Sequence, residues 1–244
     1  MSRPRVLVPV DVSSDPEPSP ELLTLLEPFD VLLLGYFPIP EQTPVEQARE
    51  QREEEATARV ETLAAPFVAE GRSIESMLVF TPDHEETIDR VRDQHETDAV
   101  LRPGPIERLE RVLVPLHGDA ALDRIVEFVV TLVREVTVGV TLVHVASEEE
   151  YRDESELLLR GARERLVERG LDPSLFELEV AIGERSVPRI AEIASTHDAV
   201  VIGEAAPSLR DLFVGDRPER LLQATSVPVF VVSRDQSDDE PGSP

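Results

Sequence analysis

A short inventory of side chains bounds the chemistry open to this chain. It carries 50 Asp and Glu and 24 basic residues, every one of them Arg, with five His and neither Cys nor Lys. Without Lys there is no phosphate-loop lysine, no pyridoxal Schiff base and no amine nucleophile. Without Cys there is no thiolate nucleophile, disulfide frame or Cys-ligated zinc. The histidines are His84, His95, His117, His144 and His197, and no two of them stand at helix or hairpin metal-ligand spacing, so no metal site is read. His144 lies in the apolar run VGVTLVHV and reads as a packed, hydrogen-bonded core histidine. His117 follows a short apolar run that ends in Pro, and it alone of the five is placed for function. The glutamate runs Glu53–Glu55 and Glu148–Glu150 read as solvated helix faces. No G-x-S-x-G elbow supplies a serine nucleophile. LHGD at 116–119 matches neither the HxGH nor the SGGxDS signature of nucleotide enzymes. With no nucleophile and no acid–base set, the expectation is a protein that is not an enzyme.

The elements that must position these residues recur. RVLVPV (5–10) returns as RVLVPL (111–116), FDVLLLGY (29–36) as VGVTLVHV (138–145), SMLVF (76–80) as ELEVA (177–181), and DAVLRPG (98–104) as DAVVIGE (198–204). Four strand-like runs in the same order, offset by roughly a hundred residues, indicate a tandem repeat. Between them the period turns helical: Leu122, Ile125, Val126, Val129 and Val133 form one stripe, and Val45, Ala48, Ala56, Val60, Leu63 and Phe67 a looser one. Leu158, Ala162 and Leu166 continue the pattern in the second half. Asp83 followed by Glu86 reads as an N-cap pair before Ile88 and Val91. Strands alternating with such helices give an α/β fold, in which each half is an open parallel sheet with helices on both faces. The runs VLLL and DAVVI suit strands buried on both sides. The halves are unequal. After DAVVIG come a loop, a helix around Arg217–Ala224 and a strand VPVFVV (227–232); after DAVLRPG the chain passes almost directly into the next RVLVPL. The expected domains are 1–107, without the last helix and fifth strand, and 108–234, complete, with 235–244 an acidic disordered tail.

On these residues the chain resembles the universal stress protein family in its tandem form, a branch of the adenine nucleotide alpha hydrolase-like folds. RVLVPVDVS resembles the family's first strand and turn, TLVHV its second strand, and DAVVIGEAAPSLRDLFVGDRPERLLQATSVPVFVV its fourth strand, phosphate loop, last helix and fifth strand. The resemblance implies stress-response roles, an adenine-nucleotide site in some members and dimers joined through the fifth strand. It places the nucleotide contacts here at Asp11 in the first copy, and at His117, Gly118, Val143, Gly203, Gly215 and Asp216 in the second, with ATP the candidate ligand. It places a homodimer at Val227, Val229 and Val231. The match to the family's phosphate loop G-x2-G-x9-G-[ST] is incomplete. Ala206 stands at the second Gly, the interval to Gly215 is one residue short, and Asp216 replaces the hydroxyl residue. Glu204 adds another carboxylate, and two like charges about 4 Å apart repel by about 4 kcal/mol at an effective dielectric of 20. The site therefore reads as degenerate. The expected role is regulatory, through self-association or an unidentified partner protein, and the alternative is a working adenine-nucleotide sensor.

The formal net charge is −26. A surface this acidic repels nucleic acid and anionic lipid, so neither is an expected partner. No long apolar stretch marks a leader or a membrane span, and the expected location is the cytoplasm. Acidic excess with Arg replacing Lys resembles the proteome of salt-in halophilic archaea, where molar salt shortens the Debye length to about 3 Å and screens self-repulsion.

Overall fold

The computed structural model describes residues 3–14, 17–72, 74–117, 122–183, 186–204 and 225–233. Contacts divide the chain into Met1–Pro103 and Gly104–Pro244. The sequence placed this boundary at 107/108. Gly104 belongs with the second unit because its backbone lies against residues 226–228, where an added Cβ would come within 2.8 Å of the Ser226 carbonyl oxygen.

The first unit runs β1 (Arg5–Asp11), α1 (Pro20–Leu26), β2 (Asp30–Pro38), α2 (Val45–Ala69), β3 (Ile74–Thr81), α3 (His84–Gln94) and β4 (Ala99–Arg102). Its strands lie in the order β3-β2-β1-β4, all parallel, with Asp11 opposite Tyr36. Alternation along the strands sends Leu7, Leu32, Leu34 and Val100 to one face, where Ile88 and Val91 of α3 cover them. The other face takes α2, whose buried side chains include Val60, Leu63 and Phe67. Gly35 permits that approach: a Cβ there would sit 2.4 Å from Val60 Cγ2. The first half of α2 is largely exposed and is laced by Arg49–Glu53 and Arg52–Glu55 ion pairs. α3 starts as its sequence requires, with the Asp83 carboxylate accepting from the Glu86 N–H at 3.0 Å.

The second unit runs β5 (Arg111–Pro115), α4 (Leu122–Glu135), β6 (Gly139–Ala146), α5 (Arg152–Glu168), β7 (Phe176–Ile182), α6 (Ser186–Ala194), β8 (Ala199–Gly203) and β9 (Val229–Val232). Its order is β9-β8-β5-β6-β7, again all parallel. Leu113, Val143, Ala181, Val200 and Val229 pack under Ile193 and Ala194 of α6. On the opposite face α4 and α5 cover Val114 and Leu142, and Phe128 of α4 meets Phe230 with ring centroids 5.1 Å apart. Helices thus lie on both faces of each sheet. The fifth strand is shorter than the expected 227–232. Val227 lies in a bend, and Pro228 has no N–H to give to the ladder, so regular pairing begins at Val229. Residues 103–110, between β4 and β5, carry neither helix nor strand, so the first unit shows no helix and no fifth strand after β4.

The two units repeat a clamp at the amino ends of their strands. Arg5 pairs with Glu75 at 2.8 Å, and Arg111 with Glu177 at 2.8 Å. The Asp98 carboxylate accepts from the Arg5 N–H at 2.8 Å, and Asp198 accepts from the Arg111 N–H at 2.9 Å. Asp198 also accepts from the Glu110 N–H at 2.8 Å and from Arg108 Nε at 3.1 Å.

Candidate functional site

Open parallel sheets bind ligands beyond the carboxyl ends of their strands, where the strand order reverses. That point lies between β1 and β4 in the first unit, and between β5 and β8 in the second.

In the first unit Asp11 ends β1, and its Oδ1 accepts from the Ser13 N–H at 2.8 Å, closing an Asx turn. Arg59 of α2 donates to the carbonyls of Val12 and Ser13 at 2.8 and 3.1 Å, and its other arm rests on Glu55 at 2.9 Å. Tyr36, opposite Asp11 on β2, stacks on His84 with centroids 5.2 Å apart and planes 12° apart. Beside His84, Glu85 takes the guanidinium of Arg102 in a two-armed ion pair, one arm at 3.0 Å. His84 Nε2 lies 3.2 Å from the same carboxylate. Burial, followed by the charge of Asp11, pushes the Tyr36 phenol above its usual range, while Arg102 pulls the other way. Sequence reading found Asp11 alone of this group. Tyr36, His84, Glu85 and Arg102 each stand at the end of a strand or the start of a helix, and the one visible signal is the Arg that interrupts the apolar run DAVL.

In the second unit His117 stands just past β5, at the place Asp11 holds in the first. Its ring centroid lies 5.8 Å from that of His144 on β6, with the planes 23° apart. His144 Nδ1 is 2.8 Å from the Leu116 carbonyl oxygen. A carbonyl only accepts, so Nδ1 carries the hydrogen, and Nε2 bears the lone pair of the neutral ring. The half-buried His144 ring is thus hydrogen-bonded as the sequence implied, but at the strand end and not deep in the core. Partial burial, and then the charge of His144, holds His117 below the usual imidazole range.

Val143 is 0% exposed, and its side chain is part of the core beneath α6. Its carbonyl accepts from the Leu116 N–H at 2.8 Å. Gly203 ends β8 opposite Val232, and the next N–H, of Glu204, donates to the Val232 carbonyl at 2.7 Å. Val229 is buried, and Val227 and Val231 are partly buried against the α6 core. Gly118, Gly215, Asp216, the helix expected at 217–224 and the tail 235–244 lie outside the described residues. Among the described residues, no three His, Asp or Glu side chains gather as a metal cluster, and no helix is long and apolar enough to cross a membrane. A small void beneath α4 is lined by Val114, Val129, Leu142, Ala162 and other apolar side chains, with no polar group to orient a ligand.

No family model matches this sequence, and no curated protein does. Solved structures do match. A universal stress protein from Archaeoglobus fulgidus superposes with a TM-score of 0.61 at 16% identity, over 97% of this chain and 98% of its own. A Pseudomonas aeruginosa protein put forward as a universal stress protein gives 0.57 at 14% identity, over 96% and 94%. A functionally unknown protein from the same species gives 0.55 at 14%, over 95% and 92%. The chain therefore has the universal stress protein fold along nearly its whole length, and at these identities the likeness is one of fold.

Proposed function

We propose that the chain is a tandem universal stress protein, built by duplication of one α/β unit, that acts in a stress response by associating with itself or with a partner protein. On this reading it is cytoplasmic, it is not an enzyme, and its nucleotide site is degenerate. The support comes from the strand ends, where Asp11 and Val143, two of the groups that would meet a nucleotide, already have protein partners. Asp11 caps its own turn through the Ser13 N–H. The Val143 carbonyl is bonded to Leu116, and its side chain is sealed in the core. The first unit has no loop between β4 and β5 long enough to wrap phosphates, only residues 103–110. At these described positions the residues fit ATP poorly. The homodimer expected through residues 227–232 belongs to the same reading and rests on the sequence.

The test begins with the full chain purified in multimolar KCl. Small molecules released on denaturation are identified by mass spectrometry, and thermal stability is then measured with ATP and Mg²⁺. A ligand at 100 times its Kd stabilises by about 2.7 kcal/mol. No released nucleotide and no shift at millimolar ATP is the expected result. A stoichiometric adenine nucleotide would replace this proposal with the sensor reading.

A further inference from the structure

We propose that the outer edge of β3 docks a second copy of this chain, the two β3 strands pairing antiparallel about a two-fold axis at Met77. This interface rests on the self-association proposed above and gives it a place in the fold. Three observations carry it.

The first is an open edge. β3 ends the strand order of the first unit, and its eight residues pair with β2 from Ile74–Val31 to Thr81–Pro38 without a skipped position. The Thr81 carbonyl accepts from the Ile39 N–H at 2.9 Å, so the odd-numbered residues turn their backbone groups toward β2. Those of Ile74, Ser76, Leu78 and Phe80 face away, and among the described residues no backbone group of another element reaches them. The second is the absence of guards. Edge strands are commonly blunted by Pro, by bulges or by charges. β3 has no Pro and no bulge, and its one charge, Glu75, is held by Arg5 at 2.8 Å.

The third is a contrast between the repeats. β7 ends the strand order of the second unit and carries Glu179 opposite Val143. Met77 stands opposite Leu34, the residue that Val143 matches in the aligned repeats. A two-fold pairing of β7 at this position would set Glu179 against its own copy, with Cα atoms about 4.5 Å apart, and like charges directly opposite repel. The same pairing of β3 sets Met77 on Met77, Glu75 on Val79, Ser76 on Leu78 and Ile74 on Phe80, so no like charges face each other. It also uses every outward N–H and C=O from Ile74 to Phe80. A second β3 therefore fits this edge, where the repeated edge of β7 rejects its own copy.

The experiment uses the full chain in molar KCl, which screens the repulsion between two copies of charge −26. Sedimentation velocity should show a dimer. The chain has no Cys, so a single introduced thiol reports its own neighbour. Opposed residues about 4.5 Å apart are within disulfide reach, and mild oxidation should turn Met77→Cys into a covalent dimer. Leu157→Cys, at a position 69% exposed on α5, should stay uncross-linked. Met77→Glu, which copies the residue of the second unit, should weaken self-association at least about tenfold with circular dichroism unchanged. Mixing it with Met77→Arg should restore the dimer. Should Met77→Glu fail to fold, the cysteine variants decide the matter. Equal cross-linking of Met77→Cys and Leu157→Cys, or an unweakened dimer in Met77→Glu, overturns the interface. Cross-linking of Val231→Cys but not of Met77→Cys overturns it too, and leaves self-association standing at the fifth strand. A wild-type chain that stays monomeric overturns both.

Discussion

Asp198 is a heavily bonded carboxylate of the amino-end clamp, and its removal has a calculable cost. The residue is 9% exposed. One oxygen accepts from the N–H groups of Glu110 and Arg111 at 2.8 and 2.9 Å, and the other from Arg108 at 3.1 Å. Hydrogen bonds to a charged acceptor contribute about 1.5–3 kcal/mol each. The Arg108 pair adds at most about 1 kcal/mol, since that guanidinium is mostly in water. Asp198→Ala should therefore cost about 3–7 kcal/mol. Asp198→Asn should cost roughly half as much, because a neutral oxygen can turn toward the two N–H groups but accepts more weakly. Urea unfolding at constant salt reads this out: with a slope of 1–3 kcal/mol per molar, the alanine midpoint should fall by about 2 M. Burial alone would raise the Asp198 pKa, but the two N–H groups and Arg108 outweigh it and hold the carboxyl below its ordinary range. The stabilisation is therefore fully present above the unfolded value, about 3.9, and fades as the pH drops through the lower folded value. The gap between wild type and Asp198→Asn should be constant at neutral pH and narrow in acid. A loss under about 0.5 kcal/mol for Asp198→Ala would refute the reasoning, because it is no more than an ordinary surface substitution costs.

Gly104→Ala should destabilise by about 1–3 kcal/mol, since the new Cβ meets backbone at 2.8 Å that cannot swing away; a neutral result in the same unfolding assay would contradict the close approach. Stability should rise steeply between low salt and molar KCl as the charge of −26 is screened, and a thermal midpoint indifferent to salt would remove the halophilic reading. Light scattering should return twice the chain mass if residues 227–232 join two copies, and a monomer would end that expectation.

The strands were legible because parallel strands covered on both faces need near-continuous apolar runs, and RVLVP, VLLL and DAVVI are such runs. The helices over Leu122–Glu135 and His84–Gln94 were legible from an apolar stripe and from an Asp at the cap. The site was much less so. Val143 reads as a strand residue at the right level, but a one-residue alternation decides which face it serves, and here it serves the core under α6. Tyr36, His84, Glu85 and Arg102 are ordinary residue types, and only strand register and the crossover of α3 bring them together. His117 and His144 likewise meet only because β5 and β6 are adjacent, which distance along the chain does not show. The matching Arg5–Glu75 and Arg111–Glu177 pairs lay open in the aligned repeats, but nothing in the letters said that the two side chains meet.

Calorimetric titration of the full chain with ATP and Mg²⁺ in molar KCl, after any carried-over small molecule has been removed, tests the degenerate site most directly. Asp11 and the Val143 carbonyl are already bonded within the protein, so no saturable heat is expected up to millimolar ATP. One-to-one binding in the micromolar range would contradict it.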